Sequence, residues 1–164
     1  MNNSSKYIYF LIFILATRIQ AALPTVGELS RHFSGGVSQY PSSLNTIKFE
    51  TLKNSNAERL AFLVGDSQGK PMQGAPTFYQ IALKNGELNI ILSQTLRSQV
   101  TPDDFRKMIA SSRVFATSEL ISDPQDGSLI VRLKTKRNIQ NIRVYEVPGV
   151  GRKSFPQILV DLIL

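Results

Sequence analysis

The stretch FYQIALKNGELNIIL, residues 78–92, decides the fold class of this chain. On both sides of Asn85-Gly86, every second residue is apolar, which is the period of a half-buried β-strand. The apolar positions are Tyr79, Ile81 and Leu83 before the pair and Leu88, Ile90 and Leu92 after it. Asn-Gly accepts positive φ at both central positions of a type I′ turn, whose twist matches that of the flanking strands. A tight β-hairpin with one apolar face is therefore predicted here.

The same period of two continues in both directions from this hairpin. We predict further strands at about residues 45–49, 60–64, 114–121, 129–134, 142–147 and 158–162. Turn residues separate them, with Asn54-Ser55-Asn56 after the first strand and Asp126-Gly127 forming a second hairpin. About seven strands over residues 45–164 predict a mainly β fold, a β-sandwich with one inserted α-helix.

The inserted helix is predicted at residues 101–112. Thr101 is a good N-cap, Pro102 suits the first helical position, and two acids follow in the first turn, where they complement the helix dipole. Those acids, Asp103 and Asp104, are adjacent and diverge by about 100° on a helix, so a structural role is favoured over paired acid–base chemistry.

Residues 1–21 are predicted to be a signal peptide. Lys6 precedes ten apolar residues, 7–16, a run too short for a membrane-spanning helix of about 20 residues. Cleavage is expected after Ala21 or Ala22. The alternative is an uncleaved leader that anchors the protein in the inner membrane, which Arg18 favours. For residues 22–44 we predict a short helix, ending near Phe33, and a Ser/Pro/Asn-rich linker.

Composition limits the possible partners. The 164 residues suit one domain, and 19 Lys+Arg against 12 Asp+Glu give a net charge of +7, which favours anionic partners. Export makes nucleic acid an unsuitable partner, so an anionic envelope polymer such as peptidoglycan is expected. Because the chain has no cysteine, it has no disulfide, no thiol nucleophile and no site for a lipid anchor. We expect a periplasmic protein that is not a lipoprotein.

The sequence offers little catalytic chemistry. His32 is the single histidine, so neither a zinc hydrolase site nor a Ser-His-Asp triad is expected. We predict no enzyme activity, no metal and no cofactor. The alternative is an enzyme of unfamiliar type in which acids such as Asp66, Glu119 and Asp123 converge.

A basic, partly aromatic set occupies the last third of the chain. Its members, predicted to bind ligand, are Arg132, Lys134, Lys136, Arg143, Tyr145, Arg152 and Lys153. Alternation places Arg132, Lys134 and Lys136 on one strand face, and Arg143 and Tyr145 together on the next strand. Such a surface suits the carboxylates and sugar rings of an anionic polymer. The alternative is an ordinary solvated sheet face.

Two segments resemble the AMIN domain, the largely β periplasmic module of cell-wall amidases and pilus secretins. The first is residues 45–64, with Ile47-x-Phe49 followed after a turn by Glu58-Arg59-Leu60-Ala61-Phe62-Leu63-Val64. The second is the closing strand, residues 157–162, which is similar to the family's Arg-Leu-Val-Val-Asp-Leu, with Gln157 where an Arg is usual. The helix at 101–112 departs from the family pattern by enlarging the module.

The resemblance implies a β-sandwich that binds peptidoglycan and localises its host protein in the cell envelope. No amidase, secretin or other effector domain follows residues 45–164, so we expect a non-catalytic binding module. The alternative is an accessory structural subunit of an envelope-spanning secretion or pilus machine. Such a subunit would act by protein–protein contacts, docking an edge strand near the exposed-looking run Leu162-Ile163-Leu164.

Overall fold

A computed structural model describes residues 32–37, 40–53, 55–151 and 153–164 of the chain. The predicted signal peptide at 1–21 lies outside the described residues, as do residues 22–31 of the predicted helix and linker. None of the helices in the described part is long and apolar enough to cross a membrane.

The described residues form ten strands and one helix. The strands are β1 (His32–Gly35), β2 (Ser42–Thr51), β3 (Ala57–Asp66), β4 (Tyr79–Lys84), β5 (Glu87–Leu92), β6 (Thr95–Ser98), β7 (Phe115–Asp123), β8 (Ser128–Thr135), β9 (Asn141–Val147) and β10 (Gln157–Ile163). The helix is α1 (Pro102–Ile109), between β6 and β7.

The strands form two five-stranded sheets packed face to face. Sheet I has the order β1-β4-β5-β8-β7, and sheet II has the order β6-β2-β3-β10-β9. Neighbouring strands are antiparallel, except that β6 runs parallel to β2. Alternate residues of both sheets point into one continuous core, to which the helix adds Phe105 and Ile109. The predicted fold, a mainly β sandwich with one inserted helix, is confirmed.

The hairpin from which the prediction started has the expected turn. Asn85 and Gly86 have φ angles of 53° and 73°, as a type I′ turn requires, and Leu83 pairs with Leu88 across the strands. The second hairpin is confirmed as well, but its turn is a four-residue loop, 124–127, in which the N–H of Gly127 donates to the carbonyl of Asp123 at 3.1 Å.

The helix begins as predicted. The side chain of Thr101 accepts a hydrogen bond from the N–H of Asp104 at 3.1 Å and donates to its carboxylate at 2.6 Å. Asp103 pairs with Arg106 on the helix surface. Both acids therefore have local structural partners. The helix ends at Ile109, short of the predicted end at 111–112.

Residues 32–37 and 42–44 differ from their prediction as a helix end and linker. His32 and Phe33 lie in strand β1, where Phe33 pairs with Ile81, and β2 already begins at Ser42. The edge of β4 supplies backbone hydrogen-bond partners to residues 32–35. This pairing between distant parts of the chain outweighs the helical spacing of the apolar residues. Beyond β1, the N–H of Val37 donates to the carbonyl of Pro76 at 3.0 Å. Strand β6 was not predicted either, and the described strands number ten, not about seven.

Strand β10 is an internal strand of sheet II, between β3 and the edge strand β9. Leu162 is fully buried, and Ile163 and Leu164 are half-buried, so the expectation of an exposed run here is wrong. The guanidinium of Arg59 donates two hydrogen bonds to the carboxylate of Asp161, at 2.6 and 2.8 Å. These bonds raise the pKa of Arg59 above its ordinary value, and they join β3 to β10 across the outer face of the sheet.

Glu58 is a fully buried acid on the inner face of β3. Its carboxylate accepts hydrogen bonds from the Ser112 hydroxyl at 2.6 Å and from the Arg113 N–H at 2.8 Å. The same hydroxyl oxygen accepts from the N–H groups of Val114 and Phe115, at 2.9 and 3.0 Å. This network holds the connection between α1 and β7 against sheet II.

A second polar contact joins the sheets at the opposite edge of the sandwich. The carboxylate of Glu146 in β9 accepts hydrogen bonds from the Tyr79 hydroxyl at 3.0 Å and from the Gly36 N–H at 2.9 Å. Gly35 leaves room for this contact, since a Cβ there would lie 2.1 Å from a Glu146 oxygen. Burial, followed by the nearby Glu146, raises the pKa of Tyr79.

We expect Glu58→Gln to lower the free energy of unfolding by about 2–4 kcal/mol. The single amide oxygen of Gln can accept only one of the two hydrogen bonds from Ser112 and Arg113, and the other buried donor then faces an amide nitrogen. Urea unfolding measures the loss. The matched control is Glu119→Gln, which removes one exposed ion pair and is expected to cost about 0–1 kcal/mol. Equal losses in the two variants would contradict the role of Glu58.

We also expect Tyr79 to make stability depend on alkaline pH. Its pKa is higher in the folded state than in the unfolded chain, where tyrosine ionises near about pH 10. The contribution of the neutral Tyr79 hydroxyl to the free energy of unfolding is therefore fully present below about pH 10. It is lost as the pH rises toward the folded pKa. The free energy of unfolding of the wild type should therefore fall more steeply above pH 10 than that of Tyr79→Phe. The slopes of the two curves should differ by up to about 1.4 kcal/mol per pH unit. Parallel curves from urea titrations between pH 9 and 11 would refute this.

Candidate binding site

The structure does not bring the predicted basic set together on one face. Arg132 and Lys134 point outward from β8 in sheet I, whereas Arg143 and Tyr145 point outward from β9 in sheet II. The outer faces of two sheets packed face to face lie on opposite sides of the sandwich. The predicted set is divided because β8 and β9 are consecutive in sequence but belong to different sheets.

The face of sheet I around β8 is also less basic than the sequence indicates. Arg132 lies between two acids of neighbouring strands, 3.5 Å from Glu87 and 3.2 Å from Glu119. Asn89 donates a further hydrogen bond to Glu87 at 2.9 Å. The guanidinium of Arg132 is therefore partly neutralised, and Lys134 is the exposed cation that remains on this strand.

The other members of the predicted set lie at the two ends of the sandwich. Lys136 follows β8, and its ammonium group donates to the Ser112 carbonyl at 2.6 Å. Lys153 is exposed in the loop between β9 and β10, at the opposite end, and Arg152 lies outside the described residues.

The acids considered for catalysis have local structural partners. Asp66, at the end of β3 in sheet II, accepts hydrogen bonds from the N–H groups of Gln68 and Lys70. Glu119 and Asp123 lie in β7 of sheet I, where Asp123 accepts from the N–H of Gln125. In the part of the chain that the structure describes, no group of three His, Cys, Asp or Glu side chains is placed to hold a metal ion.

A cleft lies where the chain crosses from sheet I to sheet II, and we call it the end cleft. The crossing segment is residues 136–140. Its ends are fixed by backbone hydrogen bonds, from Lys136 N–H to the Val114 carbonyl at 2.7 Å and from Gln140 N–H to the Ile163 carbonyl at 2.8 Å. The β4–β5 turn forms the other wall, where the carbonyl of Gly86 accepts from the Thr135 N–H and hydroxyl at 2.7 and 2.9 Å.

The end cleft has an apolar floor and a polar rim, and its volume is about 260 Å³. The floor consists of Leu83, Ile139 and Ile142, and the rim of Asn85, Arg137, Asn138, Gln140 and Asn141. No rim side chain makes a hydrogen bond to another described residue. Their amide and guanidinium groups are therefore available, and the four amides both donate and accept.

The end cleft has one basic side chain on its rim and two more close to it in sequence. Arg137 is on its rim, and Lys84 and Lys136 are adjacent in sequence to the rim residues Asn85 and Arg137. Since Glu87, the nearest acid along β5, is already paired with Arg132, this end of the sandwich favours ligands that carry carboxylates.

The sequence prediction missed every rim residue of the end cleft. The signal available was the composition of the crossing segment, where a polar run from Lys136 to Asn141 is interrupted only by Ile139. That run reads as a loop, and only the fold shows that it lies beside the distant Asn85-Gly86 turn.

Searches of protein-family models, of curated proteins and of solved structures found no significant match to this chain. The resemblance to the AMIN domain therefore stays a prediction from the sequence.

Proposed function

We propose that this protein is a non-catalytic binding module of the cell envelope, and that its end cleft binds peptidoglycan. The observation that carries the proposal is the combination of an apolar floor, four uncommitted amides and the guanidinium of Arg137 in one concavity. Peptidoglycan presents matching groups, since its sugars carry hydroxyl and N-acetyl groups and its peptides carry amides and carboxylates.

The size of the end cleft limits what it holds. Pockets for small molecules usually measure about 300–1,000 Å³ and enclose most of the ligand. At about 260 Å³, the end cleft suits one sugar unit or one short peptide segment of a polymer that continues outside it. A single site of this kind binds weakly, which suits a module that keeps a protein near the wall.

The position of the resembling segments supports the same function. Residues 45–64 and 157–162 form β2, β3 and β10, which are three adjacent strands of sheet II. Their charged residues Arg59 and Asp161 bond to each other. The two segments therefore make one structural unit, as expected if they derive from one module.

Export supports the location that we propose. The leader at residues 1–21 would deliver the chain to the periplasm. Its removal takes away Lys6 and Arg18, and the net charge of +5 that remains favours retention beside an anionic wall. In this proposal retention depends on the folded domain, because the chain has no cysteine to carry a lipid.

A pull-down on purified peptidoglycan sacculi tests the proposal. We expect the wild type to be retained at low salt, and Arg137→Glu to weaken retention about tenfold or more, because a hydrogen bond to a charged group contributes about 1.5–3 kcal/mol. Asn138→Leu should weaken retention without changing the net charge.

The matched control is Lys153→Glu, which makes the same change of charge at the opposite end of the sandwich and should leave retention nearly unchanged. Equal losses in Arg137→Glu and Lys153→Glu, reversed by moderate salt, would indicate non-specific attraction. A wild type that is not retained at low salt would refute peptidoglycan binding.

A further inference from the structure

The outer face of sheet II carries a regular pattern of side chains across four strands. Register places the outward residues of β2, β3, β10 and β9 in three rows. The rows are Glu50-Arg59-Asp161-Arg143, Lys48-Ala61-Leu159-Tyr145 and Thr46-Leu63-Gln157-Val147. We call this surface the outer face II.

The outer face II carries apolar side chains from its central strands to the β9 margin. Leu63, Leu159 and Tyr145 are half-buried, and Val147 is 38% exposed. Sheet I packs on the other side of sheet II, and α1 contributes its apolar residues to the core between the sheets. Within the described residues, therefore, no second layer packs on this face.

The charges of the outer face II are arranged unevenly. Arg59 and Asp161, in the two central strands, pair with each other. Glu50 and Arg143, in the same row on the outer strands, are exposed and form no ion pair within the described part of the chain. Glu50 lies beside Arg59 on the next strand and contributes to its raised pKa, but its carboxylate is exposed, as is the guanidinium of Arg143, so both can face a partner.

This arrangement is self-complementary under a two-fold rotation. A two-fold axis that runs parallel to the strands, above the middle of the sheet, places β2 of one copy opposite β9 of the other and leaves each row at its own height. Glu50 then faces Arg143 of the second copy at both margins. In the next row Lys48 faces Tyr145, a cation over an aromatic ring, and Ala61 faces Leu159.

We propose that the outer face II is the surface on which a second copy of this chain docks, with aligned strands as in other sheet-on-sheet packings. The match of charges selects a copy of the chain over a partner of uniform charge, because the face offers one exposed acid and one exposed base in the same row. Arg and Tyr, the side chains at the β9 margin, are also typical anchors of protein interfaces.

The pair is weak and reversible. Four strands about 4.8 Å apart and three rows about 6.7 Å apart give roughly 400 Å² of sheet per copy before side chains are counted. That area lies at the low end of specific interfaces. We therefore expect dissociation constants in the micromolar range or weaker, and monomers at high dilution.

Charge reversal at the two margins tests the proposal. In a two-fold pair, Arg143→Glu places two acids opposite each other at both margins, and Glu50→Arg places two bases opposite each other. Each variant alone should therefore self-associate at least about tenfold more weakly than the wild type. An equimolar mixture of the two variants should recover association, because both margins then pair opposite charges. Sedimentation equilibrium of the purified protein measures all three.

Both substitutions are at exposed positions, and circular dichroism confirms that each variant is folded. The matched control is Lys107→Glu, an exposed residue of α1 with the same change of charge, which should associate as the wild type does. A wild type that stays monomeric at millimolar concentration would overturn the proposal, as would a mixture that associates no better than its components.

Discussion

The structure depends on the pairing of β3 with β10. These strands lie far apart in the sequence, and the bond between Arg59 and Asp161 spans 102 positions. A slip of one residue would turn the inner residues of β10 outward and separate the two charges. With the register fixed, Leu60, Phe62, Ile158 and Val160 face the core, and the three rows of the outer face II follow on the other side.

Two polar contacts, one buried and one half-buried, then hold the sheets together at opposite edges. Glu58 accepts a hydrogen bond from Ser112 in the connection between α1 and β7. Glu146 accepts hydrogen bonds from the Tyr79 hydroxyl and the Gly36 N–H on the side of sheet I. Apolar packing alone is non-directional, so it fixes the distance between two sheets better than their alignment. Directional hydrogen bonds to the carboxylates of Glu58 and Glu146 supply that alignment. The end cleft follows from it, because residues 136–140 must bridge a fixed gap between the sheets.

Local chemistry explains which parts of the fold the sequence could predict. The Asn85-Gly86 turn and the Thr101 cap are encoded by neighbouring residues, and both are confirmed. Alternation also predicts correctly that Arg143 and Tyr145 share a strand face. Alternation carries no information about which sheet a strand joins. It therefore could not predict that β8 belongs to sheet I and β9 to sheet II. Strand β6 gave no signal because of its four residues only Thr95 is buried and Leu96 is 57% exposed.

The two proposed surfaces are compatible, and their combination has a physical consequence. Rotation about an axis parallel to the strands exchanges the two sides of a sheet but not its two ends. In the proposed pair both end clefts would therefore open toward the same end of the dimer, on chains joined through the outer face II. A polymer with repeating units presents ligands to both clefts, so the second contact forms at a high effective concentration. Two weak sites and a weak interface would then reinforce one another on a wall surface while each remains reversible in solution.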